Sequence, residues 1–135
     1  MDDGILTAEE IGAQNLDGVQ LVMLSACETG LGRSVGGEGL LGLQRSFQAA
    51  GARTVVASLW KVPDEATRDL MEHFYENHWG EKNLGVLPAL RAAQLTMLRE
   101  GRKRGIVRDD EPSAADPKRT PPYYWAAFVL SGDWR

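Results

Sequence analysis

The residues with the clearest chemical potential lie around a single thiol. Cys27 is the only cysteine of the 135-residue chain, and it follows an apolar, β-favouring run over residues 19–25. Such a run is typical of a buried parallel strand. Because the run stops at a glycine-rich segment, residues 26–32, we expect the thiol at the carboxyl end of a strand, where open α/β sheets bind ligands. A thiol is nucleophilic as its thiolate, so Cys27 is a candidate nucleophile.

The elements around Cys27 predict a parallel pair of strands. A helix is predicted over residues 40–50, where apolar residues recur at helical spacing and Gly51 supplies a stop. A second apolar strand is predicted over residues 54–60. A strand, a helix and a strand joined by short links form a βαβ unit, so both strands should end at the same edge of the sheet.

The second strand is followed by polar and aromatic residues at that edge. Ser58 and Trp60 lie at its predicted carboxyl end, and Asp64 lies just beyond. We therefore predict that these three side chains contact a substrate, although Asp64 is also a candidate helix cap and Trp60 a candidate core residue. Glu38 precedes the helix over residues 40–50 and is expected to favour its dipole.

The remaining segments have simpler signals. Thr7 and Glu10 form a capping box for a short helix over residues 7–13. Further helices are predicted over residues 64–79 and 86–100, the second with four leucines facing inward: Leu87, Leu90, Leu95 and Leu98. A polar stretch, residues 101–122, is predicted to be an exposed loop. The aromatic run over residues 123–132 predicts a last strand, with Trp125 and Phe128 in the core.

Composition limits the classes of function. The chain has room for one domain, and its formal net charge of −4 argues against nucleic-acid binding through bulk electrostatics. One cysteine excludes an internal disulfide and a zinc site built on several cysteines. No apolar run reaches the about 18 residues of a membrane span, and the first residues lack the features of a secretory signal. These features predict a cytoplasmic protein that binds no membrane.

Several segments together carry a family resemblance. Residues 25–30, with the sequence SACETG, resemble the cysteine motif of CHAT domains, which are caspase-like peptidase domains often found with TPR repeats. Other segments resemble the same family in the same order: residues 5–11, 37–39, 43–47, 50–52, 58–62, 64–67 and 124–133. The resemblance covers most of the chain outside residues 101–122.

The resemblance implies a fold and a reaction. The implied fold is α/β, a caspase-like three-layer sandwich of a mostly parallel sheet with helices on both faces, here without its amino-terminal strands. The implied reaction is peptide hydrolysis by a cysteine–histidine dyad, without a cofactor or metal. Cys27 would be the nucleophile and its backbone N–H an oxyanion donor. Glu28 and Gly30 would shape the loop, and Ser25 would line a substrate pocket.

The sequence departs from the family at the catalytic base. The family places its histidine on the strand before the cysteine strand, but residues 1–26 contain no histidine. His73 and His78 lie in the helix after Trp60, and we expect both to have packing or surface roles. The chain then resembles the carboxyl-terminal part of a CHAT domain: a fragment, a truncated reading frame, a degenerate relative, or a domain completed by a partner chain. In each case the strand over residues 19–25 should have an unpaired edge.

Two other functions compete with the peptidase. Without the base, the domain could bind a protein or peptide partner without cutting it, in a larger assembly with a TPR or other sensor domain. Cys27 and Arg33 also match the Cys-x5-Arg pattern of tyrosine phosphatases, whose backbone N–H groups and guanidinium hold a phosphoryl group. Glu28 would lie beside the phosphate dianion, which argues against this alternative.

Overall fold

The structure is a computed structural model that describes residues 6–25, 38–107 and 118–135. Its helices are α1 (Ala8–Gly12), α2 (Glu38–Ala49), α3 (Asp64–Trp79) and α4 (Val86–Glu100), and its strands are β1 (Leu21–Leu24), β2 (Thr54–Ser58) and β3 (Phe128–Gly132). The chain divides into two compact units. The first comprises Met1–Leu59 and Val129–Asp133, and the second Trp60–Phe128 and Trp134–Arg135.

The first unit contains a parallel βαβ arrangement. The described sheet has three strands in the order β1-β2-β3, and β1 pairs in parallel with β2. Every residue of β2 is buried, and β2 is the central strand of the described sheet. The sequence-based prediction of two parallel strands joined through a helix is therefore confirmed. The mixed α/β class is also confirmed, whereas the caspase-like sandwich remains a prediction.

The first strand is shorter and more open than its sequence indicates. β1 covers Leu21–Leu24 rather than residues 19–25, and all four of its residues are half-buried. The expectation of a buried strand is wrong here because β1 is the outer strand of the described sheet. The unpaired edge predicted for this strand is present among the described residues.

Local chemistry fixes the ends of the elements in this unit. The Glu10 backbone N–H donates to the Thr7 hydroxyl at 3.2 Å, and the Thr7 backbone N–H donates to the Glu10 carboxylate at 2.7 Å, which is the predicted capping box. α1 contacts α2 and buries Ile11. Gly51 has a φ of +113°, and a Cβ at this position would lie 2.5 Å from the Asp17 carboxylate, so the turn after α2 requires glycine.

The last strand begins later than predicted. Residues 123–132 were expected to form one strand, but Pro122–Tyr124 form a 3₁₀ helix and β3 starts at Phe128. Pro121 and Pro122 fix φ and lack N–H donors, and the Tyr124 N–H donates to the Pro121 carbonyl, so a turn competes with the β propensity of the aromatic residues.

The second unit is built on the contact between α3 and α4. The buried side chains of α3 include Leu70 and Phe74, and α4 buries a stripe of apolar residues: Val86, Ala89, Leu90, Ala93 and Met97. Of the four leucines predicted to face inward, Leu90 is buried and Leu87 is 41% exposed. The prediction is wrong at Leu87, because the buried face of α4 follows the other residues of this stripe and leaves Leu87 outside it.

Two further expectations differ from the structure in this unit. Asp64 is the first helical residue of α3 and Pro63 is its N-cap, so Asp64 is not the cap. Part of the predicted exposed loop over residues 101–122 is packed, because Val107 and Thr120 are buried. The Thr120 backbone N–H donates to the Leu98 carbonyl at 3.0 Å, which holds the end of that segment on α4.

Candidate functional site

The candidate nucleophile follows directly from β1 along the chain. Cys27, Glu28 and Gly30 lie outside the described residues, as does the side chain of Glu38. Ser25 is the residue after β1 and is exposed. The segment that contains Cys27, residues 26–37, therefore begins directly after Ser25, the residue next to the described end of β1.

The register of the sheet brings two predicted site residues to one edge. Leu24 pairs with Ala57 at the carboxyl end of the β1–β2 ladder. Ser25 and Ser58 are the next residues on the two strands, so both lie at the same edge of the sheet. Ser25 is exposed, whereas Ser58 is buried, with 4% of its surface accessible. Of the two, Ser25 is therefore the more accessible to a ligand.

Trp60 and Asp64 are both accessible in the second unit. Trp60 is 37% exposed, so it is not a core residue, and its indole N–H donates to the Tyr123 carbonyl at 2.9 Å. Tyr123 is 47% exposed. Asp64 is also exposed and is the first helical residue of α3. Either residue can reach a ligand without a rearrangement of the core.

Both histidines have identified surroundings within the second unit. His73 Nε2 lies 3.8 Å from Asp69 Oδ2, and Asp69 Oδ1 accepts a hydrogen bond from Arg104 Nη1 at 2.6 Å. His78 Nδ1 lies 2.7 Å from the Leu84 carbonyl oxygen, and its ring stacks on Phe74. These contacts agree with the packing or surface roles expected for both residues.

Sequence reasoning missed two polar contacts of this unit. The bond from Trp60 to Tyr123 joins residues 63 positions apart, and the Asp69–Arg104 pair joins residues 35 positions apart. Neither contact has a local sequence signal. The aromatic run predicts a strand at Tyr123 and gives no sign that its side chain is exposed. The polar stretch predicts a solvated loop at Arg104 and gives no sign of a partner for its side chain.

The described part of the chain contains neither a cluster of metal-ligating side chains nor a membrane-spanning helix. Within residues 6–25, 38–107 and 118–135, no three His, Cys, Asp or Glu side chains are grouped so as to hold a metal ion. No helix in this part of the chain is long and apolar enough to cross a membrane.

Comparison with known proteins places the chain in a family. The model of the CHAT domain matches residues 1–133, and the chain therefore belongs to the CHAT domain family. Over 128 residues the chain is 40% identical to tetratricopeptide repeat protein 28 of Mus musculus and 36% identical to tetratricopeptide repeat protein 28 of Homo sapiens. These alignments cover 95% of the chain but only 4% of each relative's length. No solved structure gives a significant match.

Proposed function

We propose that the chain is part of a caspase-like cysteine peptidase domain whose nucleophile is Cys27 and whose catalytic histidine comes from outside the chain. The observation that carries this proposal is the parallel register in which Leu24 pairs with Ala57. It brings the end of β1 at Leu24, three residues before Cys27 in the sequence, to the edge where β2 also ends. Membership of the CHAT family supports the same reaction class.

The proposed chemistry assigns a role to each candidate residue. The Cys27 thiolate attacks the carbonyl carbon of a peptide bond, and the histidine protonates the leaving amine before water hydrolyses the thioester. The Cys27 backbone N–H donates to the oxyanion, and Glu28 and Gly30 shape this loop. Substrate contacts are proposed for Ser25 and Ser58 in the first unit and, separately, for Trp60 and Asp64 in the second.

Among the described residues no strand pairs with the outer edge of β1, and this supports completion by another segment. Residues 18–25 carry no charge and no proline, which are the usual protections of an edge strand. The strand is apolar on both faces, yet each of its residues is only half-buried. A further strand along this edge would satisfy its backbone groups, and we propose that the histidine arrives with that segment.

Labelling with a peptide electrophile tests the proposal. A peptide carrying an acyloxymethyl ketone is incubated with the chain alone and with a longer protein that contains the upstream sequence. We expect labelling to be slow in the chain alone and at least about a hundredfold faster in the longer protein, because a general base contributes about 10²–10⁴ in rate. The matched control is Cys27→Ala in both proteins. Equal rates in the two unsubstituted proteins would refute an external base.

A non-catalytic interaction module is the second candidate. It is favoured by the absence of histidine from residues 1–26, and its proposed partner is a TPR or other sensor domain, as the names of the relatives suggest. In this case Cys27→Ala would leave the affinity for the partner unchanged, and the longer protein would not cleave peptides. Cleavage that is lost in Cys27→Ala would exclude it.

A further inference from the structure

Two stacked aromatic rings lie at the carboxyl end of α3. Tyr75 and Trp79 are four residues apart on the helix, and their rings are parallel to within 7°, with centroids 5.0 Å apart. Trp79 is 67% exposed, which is more than any other large apolar side chain of the described residues. We call these two side chains the Tyr75–Trp79 platform.

The platform is held in place by the core beneath it. The Tyr75 ring packs edge-on against Phe74, with centroids 5.2 Å apart, and Phe74 has no exposed surface. Tyr75 is itself half-buried, so one side of the Trp79 indole rests on a ring that the core fixes. Because both rings are ordered before binding, a ligand on the open side of the indole would lose little free energy to their immobilisation.

The open side of the indole lies beside a carboxylate, and the two groups together suit a flat cation. The face of an indole attracts a cation that lies within about 6 Å of the ring centroid. Glu76 is exposed and precedes Trp79 by three residues, so their Cβ atoms are about 5–6 Å apart on the helix surface. A guanidinium can stack on the indole and donate N–H groups to the carboxylate, whereas an ammonium has no plane to stack.

The charges around the platform also favour a cationic ligand. Residues 64–91 contain six carboxylates and three cations: Asp64, Glu65, Arg68, Asp69, Glu72, Glu76, Glu81, Lys82 and Arg91. Asp69 is paired with Arg104 at 2.6 Å, which leaves five carboxylates against these three cations. The Lys82 ammonium is directed to Asn77 Oδ1, at 3.2 Å, and Arg135, whose backbone lies next to Gly85, has an interaction of its own. The last carbonyls of α3 add partial negative charge, so a phosphate group is disfavoured here.

We propose that the Tyr75–Trp79 platform binds an arginine side chain of a protein partner, with the guanidinium stacked on Trp79 and hydrogen-bonded to Glu76. The platform uses none of the residues assigned to peptide cleavage. The inference therefore goes beyond the proposed function and does not depend on it, and either can fail alone.

A titration with blocked amino acids tests the ligand class. The N-acetyl amides of arginine, lysine and citrulline are added separately to the isotope-labelled full chain, and NMR follows the indole N–H signals of its four tryptophans. Citrulline has nearly the shape of arginine but no charge. We expect a saturable shift of the Trp79 signal, with arginine binding at least about threefold more tightly than lysine or citrulline, as an exposed cation–π contact predicts. Equal affinity for arginine and citrulline would overturn the proposal, and equal affinity for arginine and lysine would refute the selection of a guanidinium.

Substitutions then locate the site. Trp79→Ala should abolish saturable binding, as read from the backbone amides of residues 75–82, and Glu76→Gln should weaken arginine binding about two- to threefold, with the loss removed by high salt. Glu65→Gln is the matched control for charge, since it removes another exposed carboxylate of α3, and Trp134 is the control for exposure, at 59%.

Circular dichroism checks the fold of each variant, and if Trp79→Ala is unfolded, the comparison of Glu76→Gln with Glu65→Gln decides the outcome. Equal losses in these two variants would refute the assignment. A Trp134 signal that shifts as much as the Trp79 signal would also refute it, because any exposed indole would then bind arginine equally well.

Discussion

Leu24 and Ala57 are paired at the carboxyl end of the parallel β1–β2 ladder, and this pair sets the geometry of the candidate site. It brings Ser25 and Ser58 to one edge of the sheet, although the two residues differ in burial. The first is exposed and the second is 4% exposed. Open α/β sheets bind ligands at the carboxyl ends of their strands. An accessible residue at this edge can contact a ligand, whereas a buried one contributes to packing.

The difference in burial between the two serines predicts different costs of substitution. Ser58→Ala should lower the free energy of unfolding by about 1 kcal/mol, because Ser58 is buried and the substitution removes a polar group from the interior. Ser25→Ala should change it by less than about 0.5 kcal/mol, as expected for an exposed residue. Urea unfolding of both variants measures this difference, and a larger cost at Ser25 would contradict it.

A pair of glycine substitutions should have opposite effects on the first unit. Gly132 has a φ of +104°, and a Cβ there would collide with the Arg53 carbonyl oxygen, so Gly132→Ala should destabilise by about 2–4 kcal/mol. Gly42 lies inside α2, and among the described residues its added Cβ would meet no atom within 4 Å beyond the adjacent residues and the backbone of α2, so Gly42→Ala should stabilise the first unit by about 0.5–1 kcal/mol. Thermal unfolding of the two variants gives the signs. A stabilising Gly132→Ala would show that the turn after β3 differs from the one described.

The α3–α4 contact should dominate the stability of the second unit. Phe74 has no exposed surface, and Phe74→Ala should cost about 3–5 kcal/mol through lost burial and the cavity that remains. Glu72→Ala, on the exposed side of the same helix, is the control and should change stability by less than about 0.5 kcal/mol. Denaturant unfolding measures the free energy of unfolding of both variants. A cost under about 1 kcal/mol for Phe74→Ala would mean that the two helices do not pack as described.

The hydrogen bond between Asp69 and Arg104 should contribute modestly to the free energy of unfolding. The Asp69 side chain is 16% exposed but that of Arg104 is 43% exposed, so solvent screens the pair. A double-mutant cycle with Asp69→Asn and Arg104→Gln should give a coupling of about 0.5–1 kcal/mol at low salt and less in 1 M sodium chloride. A coupling that does not change with salt would indicate that the pair is packed rather than paired electrostatically.

Predictions from the sequence succeeded where local signals and tertiary packing agree. α4 was predicted with its observed bounds, because an amphipathic pattern and a proline in the first turn both mark Val86–Glu100. The βαβ unit was found for the same reason, since apolar runs and glycine stops alternate along residues 19–60. In these segments the secondary structure that the local sequence favours is also the one that buries the apolar side chains.

The failures come from long-range or competing effects. The aromatic run at Tyr123 favours a strand, but the preceding prolines impose a 3₁₀ turn. The indole N–H of Trp60 donates to a carbonyl 63 positions away, a contact that no local pattern encodes. At the candidate site the sequence identified the edge, because strand ends follow from hydrophobic runs. It could not identify which edge residues are accessible, because burial depends on neighbouring segments.

The capping box of α1 predicts a pH-dependent helix terminus. The Thr7 backbone N–H, and secondly its hydroxyl, donate to Glu10 and lower the pKa of that carboxyl below its ordinary value. A carboxylate whose folded pKa is lowered stabilises the fold fully above its unfolded pKa, about 4.3 for glutamate, and the contribution is lost as the pH falls through the lower folded pKa. We expect amide exchange at Ile11 to accelerate as the pH falls below about 4, beyond the intrinsic pH effect on exchange. Glu10→Gln should remove this extra acceleration and Glu9→Gln should keep it, and an NMR titration of the Glu10 carboxyl measures the shift directly. An extra acceleration that survives in Glu10→Gln would assign the pH dependence to another group, because Glu10 would then no longer carry the charge that Thr7 stabilises.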